Sequence, residues 1–299
     1  MDRLQAMTVF TAVVESGGFA SAARKLGLSP PVVTRAVAEL EERLGLRLLT
    51  RTTRVVRVTE AGARFAEDCR RILAEIDAAE EAASGTHAAA RGTLVLTAPV
   101  LFGQRYVMPV LVDYLDRCPE VDAQCLFVDR VINLDEEGVD VAVRIGELPD
   151  SSLQAIKVGR VSQVLVASPA YLQNHGSPAH PADLAHHRIV ARGGAPADVD
   201  WQFDDAGKPV PQRLRARIRT STNDAAIAAA IAGFGITRLL SYQVADALAQ
   251  GQLQVVLERF QKPALPIHVV HREGRRATQK VRGFIDLAVE TLRAHPALR

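Results

Sequence analysis

Apolar residues at the start of the chain recur every three or four positions and are interrupted by glycines, as in short amphipathic helices. The first apolar stripe consists of Leu4, Met7, Phe10, Val13 and Val14. A second stripe, which ends at Gly27, consists of Phe19, Ala22, Ala23 and Leu26. Its alanines leave room for two helix backbones to approach closely, as a compact helix pair requires. The pattern predicts two short helices that cross at a tight turn.

A third helix is predicted to begin at Ser29, because a serine hydroxyl can cap free N–H groups and Pro30 fits the first helical position. Its apolar face carries Val33, Val37, Leu40 and Leu44. The opposite face, at the helix start, carries Pro31, Val32, Thr34 and Arg35. In a helix-turn-helix this end enters the major groove, where Arg binds guanine and methyl groups touch thymine. Any capped amphipathic helix pair shows part of this pattern, so spacing alone leaves DNA binding open.

Residues 46–58 alternate apolar and basic side chains around Thr52 and Thr53, which predicts a small hairpin. The net charge of the chain is only +2, yet one stretch without acidic residues holds Arg43, Arg47, Arg51, Arg54 and Arg57. We expect Arg51, Arg54 and Arg57 to contact the DNA backbone or a minor groove, adding affinity with little sequence information. A solvated surface is the alternative, but the adjacent helix pair favours phosphate binding.

A long helix is predicted after Thr59, with apolar residues at alternating spacings of four and three. This heptad stripe consists of Phe65, Cys69, Ile72, Ile76, Ala79 and Ala83. The opposite face is charged, which favours pairing with a twin helix, although a buried core helix is the alternative. A homodimer would present two recognition helices to two half-sites, so the DNA site should be an imperfect palindrome.

From residue 92 onward, predicted strands and helices alternate, which indicates a parallel sheet with helices on both faces. The predicted strands are Thr93–Thr97, Ala123–Val128, Val139–Ile145, Val161–Ala167, Ile189–Ala191, Ala216–Thr220, Ile236–Leu240 and Ile267–His271. The predicted helices are one through Val107, Leu111 and Leu115, a turn near Ile132–Glu137, Asn223–Ile231 and Lys280–Leu292. Ligands in such folds lie beyond the carboxyl ends of the strands.

Length and composition bound the class of protein. The 299 residues imply two or more domains, and 48% hydrophobic with 23% charged residues is typical of a soluble globular protein.

Cys69, Cys118 and Cys125 form no metal-ligand spacing and no disulfide framework, so no metal is expected. The N-terminus has no long apolar run, which predicts a cytoplasmic protein without a membrane segment. A nucleophile elbow, a phosphate loop and a dinucleotide fingerprint are all absent, so neither an enzyme nor a cofactor is expected.

The N-terminal pattern resembles that of the LysR-type transcriptional regulators. The residues that carry the resemblance are Phe10, Ala20, Ala22, Ala23, Leu28, Ser29, Pro30, Val33, Thr34, Arg35, Leu40, Glu41, Leu44, Gly45, Leu48, Leu49, Arg51, Thr59 and Gly62. The match extends through the whole chain. Thr34 departs from a more usual Ser, and Leu49 from a common Phe. The resemblance implies that Ser29, Pro31, Thr34 and Arg35 lie at the DNA surface, with Arg51 and Arg54 on the wing.

The same resemblance implies a helix-rich winged helix-turn-helix domain followed by a two-lobed α/β effector domain like a periplasmic binding protein. The expected boundaries are 1–60 for the DNA-binding domain, 61–91 for a dimerisation helix and hinge, and 92–299 for the effector domain. Within it, one lobe spans 92–160 and 265–299, and the other spans 161–264. The expected assembly is a dimer, a tetramer or a larger homo-oligomer. An α/β-class enzyme and a solute-binding protein that uses the two lobes are the alternatives.

An effector is expected in the cleft between the lobes, lined by loops that follow the strands. The candidate contacts are Ala98, Pro99, Val100, Leu101, Phe102, Val128, Arg144, Arg192 and Thr222. An effector carboxylate could lie against free N–H groups near Leu101, helped by Arg144 or Arg192. The apolar loop at 98–102 predicts an aromatic or hydrophobic acid. Core packing is the alternative for Leu101 and Phe102, and a salt bridge to Asp140 or Glu147 is the alternative for Arg144.

Overall fold

The computed structural model describes residues 1–51, 56–84, 90–134, 136–149, 153–193, 198–272 and 277–299, with only the backbone described for residues 51, 74, 75 and 77–84. The helices are α1 Arg3–Glu15, α2 Phe19–Leu26, α3 Pro30–Leu44, α4 Glu60–Ser84, α5 Val100–Phe102, α6 Met108–Arg117, α7 Pro169–His175, α8 Asn223–Ile231, α9 Ser241–Ala249 and α10 Gln279–Ala294. A π-helical turn, Gly103–Val107, joins α5 to α6. Within the described residues, no helix combines the length and apolarity that crossing a membrane requires.

The strands are β1 Leu49–Arg51, β2 Val56–Val58, β3 Gly92–Ala98, β4 Val121–Phe127, β5 Val141–Ile145, β6 Gln154–Val161, β7 Gln163–Ala167, β8 Ile189–Arg192, β9 Asp198–Asp205, β10 Lys208–Thr220, β11 Ile236–Leu240, β12 Gln254–Val256 and β13 Leu265–His271. They form an antiparallel hairpin of β1 and β2, a five-stranded sheet and a six-stranded sheet.

The first three helices, the hairpin and the start of α4 share one apolar core, which most residues of the predicted stripes face. Leu4 and Leu44 are exceptions, because both are exposed at the ends of their helices. Phe10, Val33 and Leu48 are fully buried there. The predicted starts of α3 at Ser29 and of α4 after Thr59 agree with the structure. The Thr59 hydroxyl caps α4, accepting a hydrogen bond from the Gly62 N–H over 2.9 Å. The turn between β1 and β2 lies outside the described residues.

The beginning of the heptad stripe packs inside the chain rather than on a partner. Cys69 is completely buried in the core shared with α1, and the Phe65 ring lies 5.8 Å from that of Phe10. Burial raises the pKa of the Cys69 thiol to about 11. The predicted dimer contact of Cys69 is wrong, because its side chain is covered where α4 packs against α1. Phe65 is half-buried, and its contact with a twin helix stays a prediction. Ile72 and Ile76, further along, are only half-buried, while the Ala79 side chain is outside the described part.

The two large sheets are mixed, so the prediction of a purely parallel sheet is wrong. In the five-stranded sheet, ordered β4-β3-β5-β13-β6, the pairs of β3 are parallel and both pairs of β13 are antiparallel. In the six-stranded sheet, ordered β12-β7-β11-β8-β10-β9, only the β8 pairs are parallel. The two strands that follow the chain crossings, β7 and β13, run opposite to their neighbours. The pair β9 and β10 is antiparallel because a tight turn at 206–207 joins the two strands as a hairpin.

The first crossing between the sheets is a single residue, Ser162, between β6 and β7. Its carbonyl accepts a hydrogen bond from the Ser241 N–H at 2.8 Å, and its N–H donates to the Ser241 hydroxyl at 3.2 Å. The predicted strand Val161–Ala167 is therefore split. The chain returns between β12 and β13. The helical turn predicted near Ile132–Glu137 is an irregular turn in its described residues, and the apolar pattern does not predict α7, α9, β6, β9 or β12.

Candidate nucleic-acid interface and ligand cleft

The start of α3 has one face in the core and the other exposed. Ser29 is the N-cap with extended backbone, but its hydroxyl makes no capping hydrogen bond, contrary to the expected role. The predicted recognition face consists of Ser29, Pro31, Val32, Thr34 and Arg35, of which all but the half-buried Thr34 are exposed. Beneath it, Val33, Ala36 and Val37 are almost completely buried. The helix is thus fixed by its underside while its start remains accessible.

Arg35 is held along the surface of α3 by an ion pair. Its Nε atom donates to Glu39 Oε1 over 3.0 Å, one helical turn away. The bond from Arg35 holds the pKa of Glu39 below its ordinary value, and the nearby N-terminal ammonium group adds to this effect. Both side chains of this pair are exposed, so the Arg35 guanidinium remains accessible from solvent.

The wing, residues 46–58, is anchored to α3 by a carboxylate that sequence reasoning missed. Glu41 Oε1 accepts hydrogen bonds from the Leu48 N–H at 2.8 Å and the Leu49 N–H at 2.9 Å. Arg57 is exposed on β2, opposite Thr50. Of the other predicted wing contacts, Arg51 lies on β1 with its side chain outside the described part, and Arg54 lies outside it entirely. The wing therefore has a fixed position beside the recognition helix.

The predicted cleft residues divide into buried and accessible groups. Ala98, Leu101 and Phe102 are at most 4% exposed and belong to the core of the five-stranded sheet. The Phe102 ring packs against Tyr106 at 4.9 Å and against Tyr242 at 5.3 Å. These contacts leave no surface of Leu101 or Phe102 for a ligand, so the structure favours the core-packing alternative for both.

The Val100 N–H, expected to bind an effector carboxylate, already has a carboxylate partner within the chain. It donates to Asp129 Oδ1 over 3.0 Å. The other carboxylate oxygen, Oδ2, lies 3.2 Å from Arg192 Nη2. Because Asp129 follows β4 and Arg192 ends β8, this ion pair connects the two large sheets; we call it the clasp. Pro99, Val100 and Val128 are half-buried beside it.

Two other predicted contacts have structural partners. Arg144 donates from Nη2 to the Ile132 carbonyl, so the structure shows neither of the salt bridges weighed from the sequence. Thr222 is the N-cap of α8, where its hydroxyl accepts from the Ala225 N–H at 3.3 Å. Both side chains therefore have a structural role within the chain, and their contact with an effector stays a prediction.

An open cavity of about 490 Å³ lies at the ends of β8 and β10. It is lined by Arg192, Gly193, Arg219, Thr220 and Ser221. Arg192 was predicted as a contact, and Gly193 and Ser221 belong to the loops expected at the cleft. Arg219 was missed, because the sequence placed it inside a strand without indicating which way the strand faces. The structure thus brings two guanidinium groups to one cavity beside the clasp.

Cys118 and Cys125 are half-buried free thiols. Burial raises the pKa of the Cys125 thiol above its ordinary value. A raised pKa keeps the group protonated and a poor nucleophile, which favours a packing role.

The two parts of the chain that hold these candidate sites match two family models. Residues 4–63 match the family model described as bacterial regulatory helix-turn-helix protein, lysR family, and residues 87–293 match the LysR substrate binding domain. The chain is 34% identical to an HTH-type transcriptional regulator of Xanthomonas campestris over 289 residues, covering 95% of this chain and 84% of that protein.

Two similar solved structures cover nearly the full length. The Vibrio cholerae virulence activator AphB shares 30% identity at a TM-score of 0.63, covering 97% of this chain and 99% of that chain. CrgA of Neisseria meningitidis, a LysR-type transcriptional regulator, shares 31% identity at a TM-score of 0.61, covering 98% and 99%. The predicted fold class is confirmed, and the relatives are regulators rather than enzymes. The chain belongs to the LysR family of transcriptional regulators, with a DNA-binding helix-turn-helix and an effector-binding substrate domain.

Proposed function

We propose that this regulator acts in the cytoplasm as a homodimer, or a higher oligomer of dimers, that reads an imperfect palindrome in double-stranded DNA. The domain division that supports this reading is 1–60 for DNA binding, 61–91 for the dimerisation helix and hinge, and 92–299 for the effector domain. In the last, one lobe comprises 92–160 with 265–299, and the other comprises 161–264. A small acid bound between the lobes controls the DNA-binding state.

The single observation that carries the proposal is the geometry of α3 and the wing. The recognition face is exposed at the helix start while Val33 and Val37 fix the underside in the core. Glu41 holds the described part of the wing beside α3. Arg57, on the wing, therefore contacts the same stretch of DNA as the helix does. In this arrangement Arg35 and Thr34 contact bases, and the wing arginines bind phosphate.

Dimerisation uses the part of the heptad stripe that the DNA-binding core leaves uncovered. Ile72 and Ile76 are half-buried in the isolated chain and lie beyond the crossing with α1. Burying them against a twin α4 supplies the apolar contact that a two-helix pairing needs. Two recognition faces related by a two-fold axis then contact two half-sites.

The effector is a small acid, because the accessible groups in the cleft are polar and cationic. Arg192 and the hydroxyls of Thr220 and Ser221 line the cavity, whereas Leu101 and Phe102 are buried. Because Leu101 and Phe102 are buried, the loop at 98–102 no longer supports an aromatic or hydrophobic effector. Binding can shift the DNA-binding state only if the acid prefers one arrangement of the two lobes.

Selection from a random DNA pool by the full-length protein tests the proposal. We expect enrichment of an imperfect palindrome with half-sites about one helical turn, or a multiple of it, apart. The Thr34→Ala variant, which removes a methyl-bearing side chain without changing charge, should enrich a motif altered at the same position in both half-sites. Failure to enrich any motif, or enrichment of a single unpaired half-site, would contradict the proposal.

A further inference from the structure

A second arginine lies beside the clasp with a donor that the protein does not use. Arg219, near the end of β10, donates from Nε to the Gly193 carbonyl over a long 3.4 Å. Its Nη1 atom is buried and has no hydrogen-bond partner among the residues that the structure describes. Buried polar groups normally have partners, and Arg219 also lines the cavity, so an acceptor supplied from outside would satisfy this donor.

The two arginines lie at the ends of two adjacent parallel strands, β8 and β10. Thr220 is paired with Arg192 across β10 and β8, and the Gly193 N–H donates to the Thr220 carbonyl at 2.9 Å. Gly193 takes a φ of +133°, a conformation that favours glycine, and a Cβ there would lie 3.8 Å from Arg219 Nη2. The turn at Gly193 therefore brings the backbone close to Arg219, and Gly193 adds no side chain to fill the cavity.

The charges around the cavity do not balance. Arg192 is paired with Asp129 in the clasp, while no ion pair is found for Arg219 within the described ranges. The side chains of Asp129, Arg192 and Arg219 together carry one net positive charge next to the cavity. One anionic group in the cavity would neutralise it, and Arg offers the fork geometry that binds carboxylate or phosphate.

We propose that Arg219 is the anion receptor of this cleft and binds the acid group of a monoanionic effector, while Asp129 competes with that acid for Arg192. The proposal rests on the effector-controlled function above and adds the ligand's charge and the residue that selects it. Arg192 and Arg219 line the same cavity, so an acid bound to Arg219 can also draw Arg192 from Asp129. Since the clasp joins the two sheets, this exchange changes the contact between the lobes.

Ligand binding by the full-length protein without DNA tests the receptor. Calorimetry and thermal shift would use benzoate and inorganic phosphate as anionic probes, with benzamide as the neutral analogue of benzoate. We expect saturable binding of at least one anion and none of benzamide. Arg219→Gln should weaken anion binding about tenfold or more, because it removes the charged donor. Arg217→Gln is the matched control, since Arg217 is exposed on the same strand and does not line the cavity.

Asp129→Asn tests whether Asp129 competes with the bound anion for Arg192. This test leaves Arg219 intact, so it does not depend on how well the Arg219→Gln variant folds. Releasing Arg192 should make the anion bind about fivefold more tightly. The proposal is overturned if neither anion binds, if benzamide binds as well as benzoate, or if Arg217→Gln weakens binding as much as Arg219→Gln. If the Asp129→Asn variant binds the anion no more tightly than the parent does, the proposed competition for Arg192 is wrong. Loss of DNA selection with intact anion binding would instead contradict the proposed function, so the two failures are distinguishable.

Discussion

The DNA-binding surface and the ligand cleft both present arginines, but they hold them differently. At the DNA-binding surface, the partner of Arg35 is Glu39, one turn away on the same helix. In the cleft, the partner of Arg192 is Asp129, which lies on the other large sheet. The first pair persists in any arrangement of the domains, whereas the second exists only while the two sheets are close. An ion pair that spans the two sheets depends on how the lobes are arranged, and an ion pair within one helix does not.

The DNA-binding domain is closely packed where α4 meets the wing, so we expect it to tolerate little added volume there. A Cβ added at Gly62 would lie 2.0 Å from the Leu48 carbonyl oxygen, the same oxygen that accepts the Thr59 N–H. Gly62→Ala should therefore separate α4 from the wing and lower the free energy of unfolding of this domain by about 3 kcal/mol. Chemical denaturation, followed by a DNA-binding assay, measures both consequences.

Gly18→Ala is the matched control for this change. A Cβ at Gly18 would meet nothing within 4 Å, and its φ of 177° is extended backbone that any residue adopts. We expect a much smaller loss of stability. Equal effects of the two substitutions would mean that the contact between Gly62 and Leu48 does not hold the wing.

The second prediction compares Ile76, in the uncovered part of the heptad stripe, with Leu73, a neighbouring residue of α4 that packs on the DNA-binding core. Ile76→Ala should weaken the dimer about thirtyfold, close to 2 kcal/mol, because the lost apolar surface is buried only against the twin helix. Leu73→Ala should lower the stability of the domain instead, since Leu73 packs against the core around Cys69. Sedimentation equilibrium and denaturation distinguish the two. A dimer unaffected by Ile76→Ala would show that α4 pairs through another face.

The smallest expected effect concerns a buried carboxylate in the effector domain. Desolvation raises the pKa of Asp140 above its ordinary value, against the opposing influence of Lys280 and a hydrogen bond from the Val95 N–H. The folded protein therefore binds this proton more tightly than the unfolded chain does. Its contribution to stability is present below the ordinary Asp pKa and is lost as pH rises through the raised folded value.

Asp140→Asn keeps an oxygen that can accept from Val95 and removes the titration. We expect the variant to lose less stability than the parent as pH rises from acid to neutral. Denaturation curves at several pH values measure the difference. If the variant loses stability relative to the parent as pH rises, the ionised carboxylate stabilises the fold and the expected sign is wrong.

Local features of this chain were predictable from its sequence, and features that depend on strand order were not. The start of α3 at Ser29 and the bounds of α8, Asn223–Ile231, follow from caps and periodicity within a few residues. The mixed sheets follow from two chain crossings and the β9–β10 hairpin, and the position of Arg219 follows from the strand order; periodicity encodes neither. Burial of Phe102 depends on Tyr242, more than a hundred residues away, so an apolar loop could not be told from a ligand wall.

The most direct test of the central claim compares the Arg35→Ala and Arg57→Ala variants on the selected palindrome and on a random duplex, by fluorescence anisotropy across salt concentrations. Arg35→Ala should cost about 1–3 kcal/mol on the palindrome and much less on the random duplex, because it removes a base contact. Arg57→Ala should weaken both similarly and reduce the salt slope by about one. Equal losses by both variants on both duplexes would contradict the claim that the start of α3 reads DNA sequence while the wing binds the backbone.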